Sequence, residues 1–205
     1  KGGVKTTRKF YVRREGLFAL IDSLSSLVKS LHWKADGTLW ANYTEENNYS
    51  TVAMEHKKEV VEELLSRVKN AIVWDIGANV GIFSRIVAKQ NNHVLALDAD
   101  LAAVEKNYLS LKNKPEAKYI TPLFVDITNP ACALGWANEE RKNLWSRSTP
   151  AAILALALLH HLAIGNNLPF DKIAQFFQKH AKILAIEFIP KNDSQVQRML
   201  LHRKD

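Results

Sequence analysis

Asp75, Gly77, Asn79 and Gly81 stand at alternate positions directly after the apolar run Ala71-Ile72-Val73-Trp74 and directly before Ile82-Phe83. An apolar run of that length closing on a carboxylate predicts a buried parallel strand, and the glycines predict a turn that feeds a helix. Glycine accepts a positive φ and lets the main chain lie against a ligand with no Cβ between them. Such a place, at the carboxyl edge of an open α/β sheet, suits the holding of a nucleoside-containing ligand. One variant is excluded by spacing. A G-x-G-x-x-G cradle starting at Gly77 needs glycine at 79 and 82, where Asn79 and Ile82 stand, so no pyrophosphate site is implied.

Two more carboxylates close apolar runs. Asp98 lies twenty-three residues after Asp75, where an acceptor can take both hydroxyls of a ribose. Asp126 closes Leu123-Phe124-Val125-Asp126-Ile127. Each has a plainer reading as a turn residue at a strand end. Asn79 has one as a shaper of its own turn, and Asp100 reads as a helix N-cap. A fourth apolar run passes into Leu158-Leu159-His160-His161. A histidine there could take a proton from a hydroxyl or amine, or simply cap and pack the strand end. Being adjacent, the two rings are expected to diverge, and no carboxylate stands nearby at ligand spacing, so no metal site is expected.

The set Asp75, Gly77, Asn79 and Gly81 resembles motif I, D-x-G-x-N-x-G, of the class I S-adenosylmethionine-dependent methyltransferases, and the resemblance covers about residues 70–190. It implies a Rossmann-like α/β fold, a mostly parallel sheet with helices on both faces, and S-adenosyl-L-methionine as cofactor with S-adenosyl-L-homocysteine as product. It implies that Gly77 and Gly81 lie against the methionine part of the cofactor and that Asp75 binds its amine, directly or through water. It further implies that Asp98 holds the ribose, that Asp126 accepts from the adenine amine, and that Ile127 packs on the ring. His160 and His161 are then the catalytic candidates beside the transferable methyl group. The Asn/Asp-Pro-Pro-aromatic motif of nucleic-acid amine methyltransferases is absent after the fourth run, and the histidines resemble the L-H-H run of small-molecule methyltransferases. A small-molecule acceptor is therefore expected. An RNA- or ribosome-directed methyltransferase and a non-catalytic cofactor-binding relative are the alternatives. Further back, Trp40, Tyr43, Tyr49 and Lys57, with Gly135-Trp136, Glu140-Arg141 and Glu187-Phe188-Ile189-Pro190, resemble a poorly characterised bacterial subgroup of this class, some of whose members carry nodulation-related labels. That resemblance implies that Tyr43, Tyr49 and Lys57 line the cofactor or acceptor pocket, as substrate or lid residues.

The elements that must position these residues follow from periodicity. Strands are predicted at 71–75, 93–98, 119–125, 151–157 and 182–189. Helices are predicted at 17–31, 51–68, 80–90, 101–111, 139–146, 170–180 and 194–205. Ser50 should cap the second helix, with Val60, Val61, Leu64 and Leu65 facing inward. Strict strand–helix succession requires right-handed crossovers and a parallel sheet. A class I sheet normally finishes with an antiparallel pair, and only residues 194–205 follow the fifth run, so those final strands are expected to be missing.

Two domains are expected: residues 1–68, a basic N-terminal arm with a helical extension or lid, and residues 69–205, the cofactor-binding domain. Of the net charge of +7, residues 1–34 carry +6, which makes a nucleic acid a candidate partner of the arm. No apolar run reaches the roughly 18 residues of a membrane span, and no signal peptide is visible. The single Cys132 forms no internal disulfide and fits a reducing, cytoplasmic setting.

Overall fold

The computed structural model describes residues 11–38 and 49–201 of the 205-residue chain. They fall into two compact units, Lys1–Lys34 and Ala35–Asp205. The first contains helix α1, Arg14–Ser30, none of whose residues is buried. Its apolar positions Leu17, Ile21, Leu24 and Val28 are each at least half exposed.

The second unit carries α2 (Thr51–Leu64), β1 (Ile72–Ile76), α3 (Ile82–Ala88), β2 (His93–Asp98), α4 (Leu101–Leu111), β3 (Ile120–Phe124), β4 (Ala152–Ala155), α5 (Phe170–His180), β5 (Ile183–Ile186) and α6 (Ser194–Leu200). The five strands form one sheet in the order β3-β2-β1-β4-β5, and every pairing is parallel. After β3 the chain returns to pair β4 with β1, so the strand order reverses between β1 and β4. A crevice opens at such a reversal, beyond the carboxyl ends of the strands.

The near-continuous apolar strands are those of a sheet covered on both faces. On one face Val73, Val94, Ala96 and Leu154 pack with Val61, Leu65, Val87 and Leu111. On the other, Trp74, Ile76, Leu97 and Ile153 pack with Leu162, Ile173 and Phe177. The buried Asn92 fixes the start of β1: its Oδ1 accepts from the Ala71 N–H, and its Nδ2 donates to the carbonyls of Val68 and Val87.

Four sequence expectations are corrected. Helix α2 belongs to the sheet's unit rather than to an extension ending at residue 68, because Val61, Leu65 and the following Val68 enter the sheet core. Its inner face is rotated from the expected one: Val60 and Leu64 are exposed. No helix forms over 139–146. Two short 3₁₀ turns, Trp136–Asn138 and Leu144–Ser146, stand there instead, with an antiparallel bridge between Leu134 and Arg141. That stretch has no repeating apolar stripe to bury, and propensity alone does not sustain so short a helix. Strand β4 ends at Ala155, two residues short of expectation, because Ala157 takes a positive φ of 49° and turns the chain. Ser50 caps α2 as expected, its hydroxyl accepting from the Ala53 N–H at 3.2 Å. Among the described residues no strand follows β5, and no helix is long and apolar enough to cross a membrane.

Candidate active site at the carboxyl edge of the sheet

The turn after β1 is built as its residues require. Gly77 sits at φ 78°, and its N–H donates to the Leu97 carbonyl on β2. A Cβ at Gly77 would lie 3.3 Å from Leu158 Cδ1, so glycine lets the β4 loop close down on the turn. Asn79, at φ 48°, turns its backbone N–H onto Asp98 Oδ2 at 2.7 Å. The other oxygen, Oδ1, accepts from the Asp100 N–H at 2.8 Å. Two main-chain donors thus hold the Asp98 carboxylate rigidly at the end of β2. Burial raises its pKa above the ordinary value, and those two bonds oppose the rise. Each oxygen keeps acceptor capacity for a ligand hydroxyl.

Asp98 faces a cavity of about 480 Å³ lined also by Gly77, Asn79, Asp126, Ile127 and His161. Six residues named from the sequence, on four separate segments, therefore meet around one space of the size that holds a small molecule. Asp126 is exposed and caps its own turn, its Oδ1 accepting from the N–H and the hydroxyl of Thr128. Turn-making and cavity-lining are thus compatible there. Asp100 is the N-cap expected of it, accepting from the N–H groups of Ala102 and Ala103.

Asp75 and Gly81 lie off that cavity. Asp75 is buried, 3 % exposed, and its Oδ2 accepts from the Ser84 hydroxyl at 2.6 Å. Burial pushes its pKa up to about 6, against the opposing Ser84 bond. It borders only a side chamber of about 60 Å³, next to Gly77, Asn79, Tyr49 and Lys57. Gly81 lines neither space. A Cβ on it would fall 2.5 Å from the side-chain amide of Asn107 on α4, so this glycine serves the close packing of α3 on α4. Arg85 ties the same junction, donating to the carbonyls of Val80 and Gly81 and to Asn107 Oδ1.

Tyr49 and Lys57 converge on Glu187, just beyond β5. The Tyr49 hydroxyl donates to Glu187 Oε1 at 2.7 Å, and Lys57 Nζ donates to Oε2 at 2.7 Å. The ammonium also lies 4.5 Å from the Tyr49 ring centre and 5.0 Å from that of Phe83, where an aromatic face attracts a cation. Glu187, at sequence separations of 138 and 130 from its two partners, completes the cluster. Nothing local in its sequence marks it for that role. Tyr43 lies outside the described residues.

The histidines do not diverge. His160 has helical backbone angles and leads into a π-helical turn, His161–Gly165, so the two rings pack with centroids 4.1 Å apart. Burial lowers both pKa values, and the neighbouring ring lowers His161 further, to about 4. Burial thus favours the neutral form of both imidazoles. Among the described residues no three His, Cys, Asp or Glu side chains gather as a metal would require.

No protein-family model matches the chain. Nodulation protein NoeA of Rhizobium meliloti (strain 1021) is 33 % identical over 168 residues, which is 82 % of this chain and 35 % of that protein. The chain thus spans about a third of its curated relative's length. Among solved structures, the bifunctional kinase-methyltransferase WbdD superposes with a TM-score of 0.50 at 13 % identity, over 83 % of this chain and 36 % of that one. A second WbdD crystal structure matches equally well, with a TM-score of 0.50 and 14 % identity, over 83 % of this chain and 37 % of that one. That likeness is one of fold. It agrees with the parallel 3-2-1-4-5 sheet and with the glycine turn at its reversal point. The chain has the Rossmann-like fold of the class I S-adenosylmethionine-dependent methyltransferases.

Proposed function

We propose that the chain is a methyltransferase that uses S-adenosyl-L-methionine and acts on a small-molecule acceptor. The observation that carries this reading is the Asp98 carboxylate, pinned by two main-chain N–H groups on the rim of a cavity it shares with Gly77 and Asp126. The residues present fit the cofactor. Asp98 would accept from the ribose hydroxyls, Asp126 from the adenine amine, and Ile127 would pack on the ring. Gly77 would present bare backbone to the methionine end, and Lys57, paired with Glu187, borders the neighbouring side chamber. Asp75 acts through Ser84 and the shape of the turn.

When bound, the cofactor would supply a methyl group activated by a positive sulfur, and its transfer to an acceptor lone pair would return the sulfur–methyl electron pair to sulfur. Charge is dispersed when the acceptor is neutral or anionic, so the protein's task is to align the partners and exclude water. The apolar residues Leu156 and Leu158 border the place where β4 delivers the chain to the histidine pair. A neutral imidazole there can receive a proton from an acceptor that carries one. The name of WbdD attributes methyl transfer to a protein with this fold, in keeping with the proposal. A cytoplasmic setting and a nucleic-acid contact through the basic residues of Lys1–Lys34 are parts of the proposal that rest on composition alone.

Isothermal titration with S-adenosylhomocysteine and with NAD tests the cofactor assignment. Binding of the first and not the second is expected, and the reverse order sinks it. Release of S-adenosylhomocysteine across a panel of acceptors then separates an enzyme from a cofactor-binding relative. RNA binding that weakens steeply with salt would transfer the proposal to a polymer acceptor.

A further inference from the structure

The histidine pair stands between two cavities. His161 lines the one that Asp98 borders, while His160 lines a second, of about 590 Å³, on the β5 side of the fold. The second is walled by Leu159, Ile164, Phe170, Phe188 and Leu200, an apolar body of the size that encloses a small molecule. Its polar side chains are few: His160, Asn167 and Lys191. Lys191 is the one charged side chain among its described lining residues.

His160 adds a second donor. Among the described residues its buried Nδ1 finds no hydrogen-bond partner. A sealed nitrogen that finds no acceptor holds a lone pair at less cost than an N–H. Burial favours the neutral ring, whose proton would then sit on Nε2 and give His160 a donor for a ligand in the cavity it lines. Two carboxylates act on this ring, and both are engaged elsewhere. Glu187 is bound by Tyr49 and Lys57, and Asp193 caps α6 by accepting from the N–H groups of Gln195 and Val196.

We infer that this second cavity binds a small amphiphilic anion, an apolar body whose oxyanion faces Lys191 and the His160 ring. The site stands or falls separately from the methyltransferase reading. His160 is then a hydrogen-bond donor that holds the oxyanion.

The test uses the full chain saturated with S-adenosylhomocysteine. The probes are 8-anilinonaphthalene-1-sulfonate and its neutral counterpart N-phenyl-1-naphthylamine, both fluorescent when buried. The sulfonate is expected to bind a single class of site. Lys191→Gln should weaken it roughly fivefold while leaving the neutral dye unchanged, as for the loss of one partly exposed charge. Phe188→Glu should weaken both dyes, the sulfonate more. Phe188 is 68 % exposed, so that variant should fold. Sulfonate binding that neither substitution alters, or that S-adenosylhomocysteine displaces, overturns the inference. Failure of S-adenosylhomocysteine to bind the wild-type chain overturns the cofactor assignment instead, and the dye titrations still decide the cavity.

Discussion

Replacing Asp98 by alanine separates a ligand-binding carboxylate from a turn-making one. The side chain does both jobs here, accepting from Asn79 N–H at 2.7 Å and Asp100 N–H at 2.8 Å while facing the cavity. Its removal strands two main-chain donors, at about 1–3 kcal/mol each, the low end applying because Asp98 is not fully sealed from water. Stability should therefore fall by about 2–3 kcal/mol, read by urea unfolding. Cofactor affinity should fall as well. Charged hydrogen bonds to the sugar are worth about 1.5–3 kcal/mol, or about ten- to a hundredfold in Kd. Weaker binding alone does not distinguish a lost contact from a loosened turn, so the ligand must be changed too. S-adenosylhomocysteine and its 2′-deoxy analogue are titrated into both proteins by calorimetry. The wild type should prefer the ribose form by about tenfold, and Asp98→Ala should lose most of that preference. An undiminished preference in the variant would refute the assignment of Asp98 to the sugar, whatever happens to stability.

Asp75→Asn probes the buried carboxylate. Its folded pKa, about 6, lies above the ordinary value of 3.8, so the folded state holds the proton more tightly. The wild type should lose stability as pH climbs from about 4 to 6, by about 3 kcal/mol in all, and the variant should lack that fall. An Asn–Asp stability difference that is the same at pH 4 and pH 7 rules the explanation out. Gly81→Ala drives a methyl group into the Asn107 amide at a φ of 77°. It should lower the thermal midpoint and leave S-adenosylhomocysteine affinity unchanged in the folded fraction; an affinity loss without destabilisation would return Gly81 to the ligand. Lys57→Met leaves Glu187 without its cation and should cost about 1–3 kcal/mol. It should also raise the Asp75 pKa, which Lys57 lowers, and the double variant with Glu187→Gln should recover part of the stability. Additive losses in that cycle would show the pair to be uncoupled.

What could be read from the sequence was local. The limits of β2, α4 and α5 match expectation to the residue because Asp98 turns the chain after β2, Asp100 caps α4 and Pro169 stands at the N-cap of α5. The glycine turn and the carboxylates at the ends of β2 and β3 were legible for the same reason, since strand, turn and helix follow one another within a dozen residues. Tertiary structure decided what depends on distant neighbours. It made Gly81 a packing residue because Asn107 lies across from it, and it sealed Asp75 because Ser84 comes round one turn of α3. It turned the histidines together by bending the chain at Ala157. It also brought Glu187 to Tyr49 and Lys57 across more than half the chain, a meeting fixed only when the parallel sheet sets β5 two strands from β1. Periodicity and turn chemistry act over a few residues, whereas those four outcomes follow from which surfaces the folded sheet brings into contact.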